Sequence, residues 1–122
     1  MDFFPTLLSI AGLKSEVRPD GVSLEQLLRE PSAKLRREAL YFHYPHYYPT
    51  TTPVSSVRVG DWKLLEYYED GALELYNLAD DPSETKNLAG AKPETATALR
   101  ERLHVWLDEV KAQLPSPAPG AR

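Results

Sequence analysis

The 122-residue chain contains no cysteine. Disulfides, thiolate metal sites and cysteine nucleophiles are thereby excluded. It has no apolar run approaching the ~18 residues of a membrane span, and none is expected. It also lacks an excess of basic residues. Fourteen Lys and Arg stand against 18 Asp and Glu, for a net charge of −4, which argues against a nucleic-acid surface. The opening stretch, MDFFPTLLSIAGLK, has no basic n-region, carries Asp2 and is interrupted by Pro5. It is not expected to be a signal peptide, and the compartment stays unassigned. No G-x-S-x-G elbow, phosphate-cradling glycine loop or H-E-x-x-H occurs. No self-sufficient catalytic set is expected, so no catalytic residue is assigned.

What is present fits one modest folded domain, with 42% hydrophobic and 26% charged residues. The chain is organised around Ser55 to Leu78, which reads as three short strands, Val57–Val59, Trp62–Tyr68 and Leu73–Leu78. Gly60-Asp61 and Glu69-Asp70-Gly71 supply the turns between them. Alternation puts Trp62, Leu64, Glu66 and Tyr68 on one face and Lys63, Leu65 and Tyr67 on the other. Neither face is wholly polar, so a meander is expected with one face under a helix and the other partly covered by a neighbour. Ala39 to Tyr44 reads as a fourth strand by its aromatic content.

Three helices are predicted. The first runs from an Asp2 cap to about Ala11, with Gly12 past its end. Its Phe3, Phe4, Leu7, Leu8, Ile10 and Ala11 cover nearly the whole circumference, which calls for burial on several sides and hints at a larger body. The second spans Leu24 to Arg29, with Ser23 and Gln26 as a capping box and Pro31 as its stop. The third is amphipathic from Pro93 to Leu114, about 22 residues and roughly 33 Å. Its stripe is Ala96, Leu99, Leu103, Trp106, Val110 and Leu114, widened by Leu107, and His104 lies beside it without an assigned role. Lys34, Arg36 and Arg37 suggest an anion patch, but a solvated loop is the preferred reading in an acidic chain. Asp80 to Glu84 reads as a turn with Asx-type capping, because its spacing lacks the glycine and distal glutamate of a calcium loop. Residues 115–122 read as a disordered tail.

The richest candidate for a ligand edge is the stiff loop from His43 to Pro53, with His43, His46, three tyrosines and three prolines. A zinc pair at His43 and His46 lacks a third ligand at sensible spacing. General acid–base work by either histidine lacks a nucleophile and an oxyanion partner. No metal site is assigned.

Four stretches resemble the late part of the sulfatases. Asp2 to Leu13 resembles their D-x-x-P-T-L-L-x-x-A-G helix, and Asp20 to Leu24 the D-G-x-S-L that follows. Val57 to Leu64 resembles the V-R-x-G-x-W/Y-K-L hairpin, and Leu75 to Ala89 the L-Y-N/D-L-x-x-D-P-x-E-x-x-N-L-A stretch. Phe42 to Tyr47 is most similar to the arylsulfatase-like branch. The resemblance covers about residues 2 to 114. It implies an α+β fold: a four-stranded antiparallel sheet packed by the long C-terminal helix, preceded by two short helices that belong to a missing α/β catalytic domain. The implied domains are the helical end of the large domain over 1–35, a C-terminal subdomain over 36–114, and the tail. Sulfatases hydrolyse sulfate esters or sulfamates with a formylglycine, made from a C/S-x-P-x-R motif, and a calcium ion. That motif is absent here, and both cofactors are expected in the missing N-terminal domain. The resemblance implies that domain as partner and a sulfated small molecule or glycan as substrate of the whole enzyme. It makes His43 and His46 substrate-side candidates. Full-length relatives are often exported. Two other readings stay open: a stand-alone carbohydrate- or anion-binding module, and part of a related phosphodiesterase or phosphatase-superfamily hydrolase.

Overall fold

The computed structural model describes residues 1–116. Of the expected tail, residues 117–122 lie outside the described residues. The chain divides into two compact units, Met1–Glu38 and Ala39–Arg122.

The first unit holds α1 (Phe3–Ile10) and α2 (Glu25–Arg29). Asp2 stands at the N-cap of α1, but its side chain caps nothing there. Instead it accepts from the Val22 amide at 3.1 Å and pairs with the Arg37 guanidinium, which holds its carboxyl below the usual carboxylate range. The buried Thr6 hydroxyl donates to the Asp2 carbonyl at 2.6 Å and accepts from the Leu24 amide at 2.9 Å. These bonds fold residues 21–24 back onto the start of α1. A Cβ on Gly21 would lie 2.4 Å from the Met1 carbonyl oxygen, so this approach requires glycine. Gly12, at φ +68°, ends α1 as the sequence predicts. The capping box expected for α2 does not form. Leu24 is the N-cap, and Ser23 is one residue too early, its hydroxyl accepting from Glu25. The apolar surface of α1 is open, with Phe3 82% and Leu7 63% exposed.

The second unit is a four-stranded antiparallel meander in the order β1 (Leu40–Tyr44), β2 (Val54–Val59), β3 (Trp62–Tyr67), β4 (Leu73–Asn77). β2 begins three residues before the predicted Val57, because Val54, Ser55 and Ser56 pair with Tyr67, Glu66 and Leu65. Gly60 at φ +57° and Gly71 at φ +71° take the left-handed conformations that the tight connections demand. Tyr41, Val57, Leu64 and Leu75 stand side by side across the sheet. The last three form one buried cluster with Ala96, Leu99, Leu103 and Leu107 of α3 (Pro93–Glu109). Trp106 lies at the flank, its ring stacked on Tyr41 at 4.8 Å and 5°.

Helix α3 has 17 residues, about 26 Å, and stops five residues short of Leu114. Lys111 adopts φ +52°. Its amide bonds to the Asp108 carbonyl at 3.1 Å, and the Ala112 amide to Leu107 at 2.9 Å. This is a Schellman ending, made without glycine. Leu107 therefore takes the core place expected of Val110, while Val110 and Leu114 are exposed.

The segment after β4 seals the sheet edge. Asn87 Oδ1 accepts from the Leu75 amide, its Nδ2 donates to the Leu73 carbonyl, and the Leu88 amide donates to Leu75. Asp81 Oδ2 accepts from the Thr85 and Lys86 amides, both at 2.8 Å, and these bonds hold its carboxyl below the usual range. The Asx-type role read for this turn is present.

Candidate functional site

The two histidines singled out in the sequence lie on different sides of the molecule's sheet and are not brought together. His43 lies on the helix-covered side, paired with Ser55 in the register. Its Nε2 sits 3.0 Å from the Gln113 carbonyl oxygen, an atom that only accepts. In the neutral ring Nε2 therefore carries the proton and Nδ1 accepts from Ser55 Oγ at 2.7 Å. The proton of the buried Ser55 is then committed, so the Tyr68 hydroxyl donates to Ser55 at 2.7 Å. This chain has one direction, from Tyr68 through Ser55 and His43 to Gln113. Burial pushes the Tyr68 hydroxyl up. The charge of Glu66 adds to that. Gln113 belongs to the segment that the early stop of α3 releases.

His46 is exposed on the loop between β1 and β2. Its ring stands edge-on to Tyr44 at 5.7 Å and 85°, and Tyr48 stands edge-on to the same ring at 6.5 Å and 85°. Tyr44 alternates with His43 along β1 and so occupies the opposite face. The loop is braced twice. Tyr48 and Thr51 exchange backbone hydrogen bonds at 3.0 and 3.1 Å, and Tyr47 donates to Glu69 at 2.9 Å, which raises the Tyr47 pKa.

Among the described residues no group of three or more His, Asp or Glu is placed to hold a metal ion. Of the three basic residues read as a solvated loop in preference to an anion patch, Arg37 is engaged by Asp2, while Lys34 and Arg36 are exposed.

One cluster escaped the sequence reading. Glu66 on β3 is only 4% exposed. It accepts from Arg100 at 2.7 Å and meets His104 Nε2 at 2.6 Å, both from α3. His104, assigned no role from sequence, is thus half of the clamp on a buried carboxylate. The signal was available. Glu66 falls on the helix-facing alternation with Leu64, and Arg100 and His104 are four apart on one helix side.

Comparison with known proteins adds the family context. A family model described as N-sulphoglucosamine sulphohydrolase, C-terminal, matches residues 1–113. A sulfatase of Formosa agariphila is 36% identical over 123 residues, spanning 88% of this chain and 22% of the relative. An N-acetylglucosamine-6-O-sulfatase of Bacteroides thetaiotaomicron is 33% identical over 119 residues, spanning 93% and 21%. Among solved structures, one in complex with its substrate D-glucosamine-2-N,6-O-disulfate superposes with a TM-score of 0.74 at 28% identity. That match covers 93% of this chain and 24% of the other. The chain thus spans about a fifth to a quarter of the length of the proteins it matches.

Proposed function

This chain belongs to the sulfatases, within the N-sulphoglucosamine sulphohydrolase C-terminal family, and from that premise we propose that it is the non-catalytic C-terminal part of a sulfuric ester hydrolase. The observation that carries this is the coverage: the match runs through residues 1–113, yet it accounts for about a fifth of each relative. In this reading residues 1–35 complete the large catalytic domain, and residues 36–114 form a subdomain that buttresses it and closes one side of the pocket. The bare apolar surface of α1 supports this over a self-contained binding module, which would sheath that helix with its own chain. The formylglycine and calcium belong to the catalytic domain. The residues here fit neither, since the chain has no cysteine or C/S-x-P-x-R motif and no metal-holding cluster among the described residues.

The substrate class proposed is a sulfated amino-sugar glycan. It is carried over from the relative that is an N-acetylglucosamine-6-O-sulfatase and from the structure holding a glucosamine disulfate. His46 and His43 are proposed on the substrate side. The exposed His46 ring is free to meet a ligand directly, and His43 would act by releasing the Gln113 carbonyl. The test is turnover. The purified chain should hydrolyse no aryl sulfate, with or without calcium, and should support hydrolysis of sulfated glucosamine when joined to a catalytic domain bearing the formylglycine motif. Hydrolysis by the chain alone overturns the proposal.

A further inference from the structure

The rings of His46 and Tyr48 both stand against Tyr44, while the neighbouring Tyr47 is held by Glu69. Tyr44 is the centre of the group, with the other two rings perpendicular to it at 85°. Aromatic surface of this size normally seeks burial, yet Tyr44 is 41% and Tyr48 61% exposed. Among the described residues no side-chain hydrogen bond engages the hydroxyl of Tyr44 or of Tyr48, or a ring nitrogen of His46. The loop that carries them is nevertheless stiff, with Pro45, Pro49 and Pro53, the Tyr48–Thr51 bonds and the Tyr47–Glu69 brace. Its ordering cost is met within the fold, before any ligand arrives.

We propose that Tyr44, His46 and Tyr48 form a sugar-binding platform that sets glycan specificity. The apolar C–H face of a pyranose ring packs on the tyrosines, and the unengaged polar tips take its hydroxyl or sulfate oxygens. Tyrosine suits this role because it offers a rigid amphipathic surface at low entropy cost. The inference rests on the sulfatase reading and deepens it: the platform holds the sugar, and the group removed lies elsewhere.

The experiment uses the assembled enzyme, this chain with its catalytic domain. kcat/KM is measured for a sulfated glucosamine oligosaccharide and for a small aryl sulfate that has no pyranose. Tyr48→Ala, and separately the apolar but non-aromatic Tyr44→Leu, should lower the ratio of the two values about tenfold, mostly through KM of the oligosaccharide. A purely structural effect lowers both values in proportion, and an unchanged ratio overturns the platform while leaving the sulfatase reading intact. Absence of turnover of any sulfate ester by the assembled wild-type enzyme overturns both.

Discussion

A carboxylate taken out of water must be paired on every side, and Glu66 is paired by Arg100 and His104, both drawn from one helix. Glu66→Gln keeps the shape but turns an N–H donor toward Arg100 or His104. It should lower unfolding free energy by about 1–3 kcal/mol in a urea titration, with the secondary-structure spectrum unchanged. Tyr76 tests the other half of the sheet. Burial, aided by a bond to Glu74, pushes its hydroxyl up to about 12 from an ordinary 10. A raised folded pKa contributes stability that is complete below the unfolded value and is lost as pH climbs through the folded one. Melting temperature should therefore fall between about pH 10 and 12, and more steeply than in Tyr76→Phe. Some of this was legible. The alternation of residues 62–68 put Glu66 on one face with Trp62, Leu64 and Tyr68, without saying which face lies under the helix. What it could not say is that Arg100 and His104 lie opposite, because that depends on how α3 is rotated over β3.

At the level of elements, the strands were readable because Gly60 and Gly71 mark their turns and because alternation survives on both faces. The end of α3 was not, since a Schellman stop usually announces itself with glycine and here falls on Lys111. Left-handed lysine is strained. Lys111→Gly should therefore raise stability by about 0.5–1 kcal/mol in chemical denaturation while leaving the Gln113 contact in place. The motif that includes Asp81 and Asn87 proved structural. The Asn87 side chain takes the place of the neighbour strand that β4 lacks, and Asp81 holds the Thr85 and Lys86 amides of the turn.

For the whole molecule, the open apolar surface decides behaviour. Phe3 and Leu7 on α1, and Phe42 on the sheet face opposite α3, are all exposed. The all-round apolar pattern of α1 already demanded a covering body, but periodicity alone does not identify one. In isolation the chain should self-associate in sedimentation velocity at micromolar concentration. Phe3→Glu with Leu7→Glu should shift it toward monomer without lowering the melting temperature, because neither side chain is buried. A monomeric wild-type chain would contradict this.

The meander has a kinetic corollary. Each strand pairs with the next one made, so the sheet closes only short loops and can zip from hairpin to hairpin quickly. Docking of α3 on the sheet should then be the slow, long-range event left for last. Leu103→Ala should then accelerate unfolding in stopped-flow chevrons and leave the refolding limb almost unmoved.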